Sequence, residues 1–318
     1  AVLVSGLVAG GTWEYSTNAG VSWSAGSDAR FTLGAGTYAA NALQVRQTNS
    51  SGNSSGTTVW AQAITVDQTL PGAPSLALVA DTSNGAAGGS GTGSDGITSN
   101  GQISLGGLEA NASWQYSVDG GVNWTSGSGA SFTVPQGSYA ANTIWARQVD
   151  LAGNVGTSVA KIAQALTVDT AAPAPLLAIA TGQDNLINAT ETGIDLEVRY
   201  TGLAAGDVVQ LKNNGVNVGS AHLVTSAEAT AGVVSLNVSK AQLGGDGSKS
   251  VSASVSDLAG NTGASQALSI TVGTSMPAAP TLALASDTGT SNSDAITNNG
   301  AVLVSGLVAG GTWEYSTN

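Results

Sequence analysis

The chain has 318 residues, of which 9% are charged and 44 are glycine, and its 20 acidic side chains outnumber 8 basic ones to give a formal charge of −12. A field of that sign repels nucleic acid phosphate and anionic lipid alike, so nucleic acid and membrane insertion are set aside and cations are the natural partners. There is no cysteine, which removes disulfides and thiolate metal sites and leaves packed cores or hard metal ions as the sources of stability.

The opening residues Ala1-Val2-Leu3-Val4 read as the middle of a strand, with no signal peptide before them, so the chain is expected to be a fragment of something longer. Residues 1 to 18, AVLVSGLVAGGTWEYSTN, recur without change at 301 to 318, a period of 301 − 1 = 300 residues. A weaker repeat lies inside it. WEYSTNAGVSW at 13 to 23 matches WQYSVDGGVNW at 114 to 124, and GTYAANALQVRQTNSSGN at 36 to 53 matches GSYAANTIWARQVDLAGN at 137 to 154, both offset by 114 − 13 = 101. Pro-containing linkers after Thr65-Val66-Asp67, Thr167-Val168-Asp169 and Thr271-Val272-Gly273 mark module starts, since proline cannot donate to a ladder and enforces an extended entry. The expected modules are 1–67 (lacking its first strand), 68–169, 170–273 (a variant without the aromatic hairpin) and 274–318, the opening strands of a fourth that repeats the first.

Short alternating runs of Val, Ile, Thr and Trp between Gly, Asn and Asp predict an all-β fold, with tandem immunoglobulin-like β-sandwich domains in an elongated array. In the second module the strands are expected at 75–80 (A), 102–108 (B), 112–118 (C), 122–126 (C′), 130–134 (E), 142–149 (F) and 158–168 (G). The run SVDGGVNW, 117 to 124, has the Ser-x-Asp-x-Gly-x-x-Trp pattern of the Asp box in sialidase-type propellers. Its Asp119-Gly120-Gly121 supplies the positive-φ residues of a tight hairpin. A sialidase would also need clustered arginines, whereas Arg30, Arg46, Arg147 and Arg199 are scattered over three modules. Hairpin structure is the preferred reading, and a glycan platform of exposed Trp13, Trp23, Trp114 or Trp124 is the competitor. His222, the single histidine, reads as a sheet residue, and no enzymatic activity is expected.

Alternating strand directions bring Asp81, Asp95, Asp119 and Asp169 to one pole of the second module, with Asp257 and Asn261 of the third facing them. The same reasoning sets Asp67 against Asp150 and Asn154. Oxygen ligands without His or Cys favour calcium. The runs DTGTSNSDAITNNG (287–300), SDGITSNG (94–101), the terminal TVD and the DLAGN loops (150–154 and 257–261) resemble the bacterial Ig-like tandem repeats of giant adhesins secreted by type I systems, of the RTX and biofilm-associated kind. QDNLINATE (183–191) resembles a sibling variant. This resemblance implies calcium-stiffened domains, adds Asp184, Asp287 and Asp294 to the ligand set, and implies an extracellular stalk on the bacterial surface. Neighbouring repeats of the same chain are the implied partners, and host or matrix glycans would be met by domains outside 1–318. A self-assembling filament and a glycan-binding module are the alternatives. Residues 83–94 hold a Gly-rich insertion expected to loosen the acidic loop. Gly273 stands where other modules end in Asp, and by the repeat Asn49 would stand where Asp150 and Asp257 do, so this junction is expected to be a calcium-poor hinge.

Overall fold

The computed structural model describes residues 1–85 and 92–317. The fold is all-β, built of short strands in several sheets. Among the described residues the helices are two short ones, Ser226–Ala231 and Lys240–Leu243. No helix there is long and apolar enough to cross a membrane. Contacts divide the chain into two compact units, residues 1–83 with 92–170, and residues 84–85 with 171–317.

In the first unit the two aromatic repeats build matching sandwiches. Ser113–Ser117 pairs Trp145–Val149 and Thr125–Ser126, and Ala160–Lys161 completes the sheet; Thr12–Ser16, Gln44–Thr48, Ser24–Ala25 and Thr58–Val59 repeat the arrangement. Opposite, Ser75–Leu78 and Ser131–Thr133 flank Gln102–Gly106, and in the first module Val2–Leu3 pairs Arg30–Phe31. Alternation aims Trp114 at a core with Ile103, Phe132, Ile144 and Leu166, and Trp13 at a smaller one with Phe31, Leu33 and Leu43.

The predicted strands A, B, C, E and F are present but shorter. C′ is only Thr125–Ser126, and G is broken into Ala160–Lys161 and Leu166–Val168. Two strands have no counterpart in the sequence reading. Ile97–Thr98 runs parallel to Leu166–Val168, and Gly137–Tyr139 runs antiparallel to its other edge. Runs of two or three residues carry too little alternation to be seen.

Among the described residues the second unit has a core in which Ile194, Leu196, Val209, Val234, Val251 and Ile270 are buried. It lies between the sheet Leu176–Ile179, Gly193–Arg199, Val234–Ser239 and a sheet ordered Leu186–Ile187, Leu268–Val272, Gly247–Ser256, Val208–Asn213, Val216–Leu223. Both helices begin with capping boxes, Thr225 with Glu228 and Ser239 with Gln242. His222 does lie on a strand, and its Nε2 meets Glu228 Oε1 at 2.9 Å. Beyond this core, Thr281–Leu284 pairs Val302–Ser305.

Candidate cation-binding loops

The Asp box is a closed hairpin. Asp119 Oδ1 accepts from Ser117 Oγ at 2.7 Å and Asn123 N at 2.9 Å, and Oδ2 accepts from Asn123 Nδ2 at 2.7 Å. The first copy reproduces this with an amide, since Ser16 Oγ donates to Asn18 Oδ1 at 2.8 Å and Ser22 N donates to the same oxygen at 2.9 Å. The Asn123 amide N–H, then the Ser117 hydroxyl and the Asn123 side chain, hold the Asp119 carboxyl down to about 2. A folded pKa below the ordinary 3.8 means that the carboxylate's contribution is complete above 3.8 and is lost as pH falls toward about 2. We expect Asp119→Asn with Asn123→Ser, which copies the first hairpin, to keep the neutral-pH structure and abolish this local acid transition, read from NMR shifts of residues 117–124 during acid titration. An unchanged transition would contradict the assignment.

The tryptophans separate by face. Trp13 and Trp114 are 6% and 3% exposed, and so are core residues and no glycan platform. Trp124 lies beyond the turn on the outer face, where Arg147 stacks 3.9 Å from its ring centroid; Arg46 covers Trp23 at 4.1 Å, and Lys161 covers Trp145 at 4.2 Å.

The other predicted ligands occupy loops of three kinds. At the pole after strand A, Asp81 Oδ2 accepts from Gly96 N at 2.9 Å, while Asp95 accepts from Thr92 N and Ile97 N at 2.9 Å each. The backbone N–H of Asp169 joins this pole by donating to Thr98 O at 2.9 Å. The fourth module repeats the plan, with Asp287 Oδ2 taking Ala295 N at 2.9 Å and Asp294 Oδ1 taking Ile296 N at 3.0 Å. In both copies the second oxygen, Asp81 Oδ1 and Asp287 Oδ1, is buried without a hydrogen-bond partner. A stranded carboxylate oxygen is costly unless a cation or donor meets it.

The DLAGN loops are self-closing. Asp150 accepts from Asn154 N at 2.8 Å and Asn154 Nδ2 at 2.7 Å, and Asp257 accepts from Asn261 N at 2.8 Å and Nδ2 at 3.0 Å. The Asn154 side chain holds the Asp150 carboxyl below its ordinary value. Asn154 Nδ2 also donates to the Asp67 carbonyl at 3.1 Å, which brings together that part of the predicted junction. Asp67 and Asp184 each cap a turn, accepting from Thr69 N and Leu186 N at 2.9 Å. Among the described residues no three acidic or histidine side chains converge as a metal cluster. Residues 86–91 of the Gly-rich insertion lie outside the described residues.

Sequence reasoning missed two carboxylates. Asp207 is 1% exposed, and its Oδ2 accepts from Tyr200 Oη at 2.6 Å and Ala204 N at 2.9 Å, leaving Oδ1 buried and unpartnered. Burial pushes its carboxyl up, and the charge of Asp257 adds to that push. Asp246 takes the backbone N–H and hydroxyl of Thr274 and the same pair from Ser275. These four bonds, the Ser275 hydroxyl foremost, hold it well below the carboxylate range. The linker after Gly273, expected to hinge, is therefore tied to the third module by a carboxylate 27 residues earlier (273 − 246).

No family model matches the sequence, and no curated protein matches it. Solved structures that align with it include a Ca2+-stabilized adhesin with which an Antarctic bacterium binds ice, at 19% identity and TM-score 0.33 over 86% of this chain and 67% of that one. A tetra-tandem repeat from the extending region of a large adhesion protein aligns at 18% identity and TM-score 0.32, covering 83% and 67%. Fibronectin(III)-like modules of Clostridium thermocellum CbhA align at 14% and 0.31, covering 55% and 87%.

Proposed function

We propose that this chain is a non-enzymatic spacer in an extracellular stalk of a bacterial surface adhesin or biofilm protein, with calcium bound at its acidic loops. The observation that carries the calcium reading is the recurrence of one buried, unpartnered carboxylate oxygen at Asp81 and again at Asp287, joined by Asp207 in the variant module. A hard divalent ion bound by oxygen suits that donor set, with backbone carbonyls and water completing six to eight ligands. When bound, the ion supplies charge neutralisation at the module pole. The protein's own part is to hold each carboxylate by its other oxygen, through Gly96 N, Ala295 N or Tyr200 Oη, so that the free oxygen is already placed. The spacer reading is supported by the 300-residue period, since repetition of whole modules extends length.

Calorimetric melting in millimolar calcium, in magnesium and in chelator tests this reading. Calcium is expected to add about 1–3 kcal/mol per site, and Asp81→Asn and Asp207→Asn should each remove one increment while raising stability in chelator. Identical melting in calcium, magnesium and chelator would refute the calcium reading.

A further inference from the structure

We propose that the outer sheet face of the second module binds the carboxylate of an acidic polysaccharide built of uronate sugars, through the Arg147 guanidinium and the Lys161 ammonium seated on the rings of Trp124 and Trp145. This goes beyond the spacer reading and does not rest on calcium.

Alternation along Trp145–Val149 turns Ala146 and Gln148 into the core and leaves Trp145 and Arg147 on the outer face. The strand register sets Lys161 opposite Trp145 and Gln115 opposite Arg147. The hairpin adds Trp124, whose ring centroid lies 6.4 Å from that of Trp145. Arg147 stacks 3.9 Å from the Trp124 centroid, and Lys161 Nζ stands 4.2 Å from the Trp145 centroid. Both rings are fixed before any ligand arrives, because Trp124 Nε1 donates to Gly121 O and Trp145 Nε1 to Asn142 O. The backbone lies close beneath them, since a Cβ on Gly121 would stand 2.6 Å from the Trp145 ring and 3.5 Å from that of Trp124. Groups already held in place lose little entropy on binding.

The first module identifies the chemistry of the ligand. There Arg46 stacks on Trp23 at 4.1 Å as Arg147 does on Trp124, and the residue opposite is Glu14. Glu14 Oε2 accepts from Arg46 Nε at 2.9 Å and from Nη2 at 2.7 Å. A guanidinium seated on this hairpin's tryptophan therefore holds a carboxylate, supplied in that module by its own strand. In the second module Gln115 stands where Glu14 does, and its Oε1 accepts from Arg147 Nε alone, at 2.9 Å. Among the described residues neither Arg147 nor Lys161 has an ion pair, in a chain with 20 acidic side chains. The hairpin's own carboxylate, Asp119, is taken up by Ser117 and Asn123. Trp145 and Lys161 stand where the first module has Gln44 and Trp60, so the second cation on a ring belongs to the module whose arginine has no carboxylate.

The end of the Arg147 fork, Nη1 and Nη2, matches a carboxylate in spacing and charge, and Lys161 adds a second positive charge for a polyanion. In a uronate the carboxylate is bonded directly to the pyranose ring. Held at Arg147, it brings the ring's C–H groups beside the half-buried indoles of Trp124 and Trp145 and its hydroxyls over Gln115 and the exposed Ser126 paired with it. An aspartate or glutamate side chain would bring only its methylenes to the same surface.

NMR titration of the whole chain in chelator, where the spectrum itself reports that the module is folded, tests the proposal with hexagalacturonate, with neutral maltohexaose and with hexaglutamate. Hexagalacturonate is expected to move the Arg147 Nε–H and the indole N–H resonances of Trp124 and Trp145, to leave those of Arg46 and Trp23 unmoved, and to bind about tenfold or more tightly than either control. Gln115→Glu installs an ion pair that the first module already carries, so it should keep the fold and weaken binding about tenfold by occupying Arg147. Arg147→Lys keeps the charge without the fork and should weaken binding as much. Resonances that stay still up to about 10 mM hexagalacturonate, a range that reaches weak millimolar sites, or binding unchanged in Gln115→Glu, would overturn the site. Equal binding of hexaglutamate would assign the face to acidic peptides and overturn the polysaccharide reading, and equal binding of maltohexaose would overturn the role of the carboxylate.

Discussion

Gly127→Val is expected to destabilise the second module by about 3 kcal/mol, the upper end for overpacking a filled core. A Cβ at Gly127 would fall inside the indole of Trp114, and that ring has nowhere to go. It is 3% exposed, its Nε1 is held by Gly129 O at 2.9 Å, and it packs against Phe132 at a centroid distance of 5.8 Å. The backbone is fixed as well, since Gly127 N donates to Trp114 O at 3.0 Å. Gly26 and Trp13 repeat the contact in the first module, so Gly26→Val should act there in the same way. Trp114→Ala should cost about 3–5 kcal/mol by leaving the cavity unfilled. Adding Gly127→Ala to Trp114→Leu should cost less than the sum of the two single changes, because both alter one contact. Denaturant unfolding followed by NMR amide intensities of the second module measures each term. A loss below about 1 kcal/mol for Gly127→Val would show that the strand can retreat.

That glycine shows what the sequence made legible. The hairpin could be read because Trp114, Tyr116 and Trp124 sit at strand spacing around Asp119-Gly120-Gly121, and the offset-101 copy reinforces each position. Which tryptophans face inward followed from parity for Trp114, but the stacking of Arg147 on Trp124 required the neighbouring strand to be in place. Gly127 reads locally as a turn residue, and its contact with Trp114 exists only once the hairpin closes.

The acidic loops divide along the same line. Asp119, Asp150 and Asp257 announce themselves through a partner four residues away, and the structure shows those partners, Asn123, Asn154 and Asn261, taking up their carboxylates. Among the described residues the buried, unpartnered carboxylate oxygens are at Asp81, Asp287 and Asp207 instead, beside one amide oxygen at Asn213. The first two lay within the predicted set. Asp207 did not, because Gly206-Asp207 reads as a turn and only folding buries it beside Tyr200. Asp246, in Gly-Gly-Asp-Gly, was hidden for the same reason, and its grip on Thr274 and Ser275 adds a tether at the start of the linker that Gly273 and Asn49 do not reveal. The capping boxes Thr225-Ser-Ala-Glu228 and Ser239-Lys-Ala-Gln242 were legible signals for helices too short to show a period.

Gln148→Leu is the second large effect, expected at about 3 kcal/mol although it preserves side-chain volume closely. Gln148 is 1% exposed on the central strand Trp145–Val149, and its amide satisfies Glu109 N, Gly107 O and Gly72 O at once. Removing it takes the partner from one backbone donor and two carbonyls, on the solvent-exposed residues Glu109, Gly107 and Gly72, at about 1–3 kcal/mol for each that water does not reach. The consequence reaches the linker, because Gly72 lies between Pro71 and Pro74, and the Pro71 carbonyl already abuts Gly156 so closely that a Cβ there would sit 2.9 Å away. Without Gln148 the linker keeps its apolar seat and the 3.3 Å bond from Gly72 N to Glu109 Oε1 but loses the bond to the Gly72 carbonyl, so 15N relaxation at Gly72 should show faster internal motion even where the module still folds. Gln148→Glu separates the two roles: a carboxylate can still accept from Glu109 N, but it would face two carbonyl oxygens. It should therefore loosen the linker at least as much as leucine does, and most of all at neutral pH, where the carboxyl is ionised. If Gln148→Leu left both the denaturant midpoint and Gly72 relaxation unchanged, the Gln148 amide would carry no weight at the junction between the first two modules, leaving it to apolar packing and the Asn154 bond to the Asp67 carbonyl.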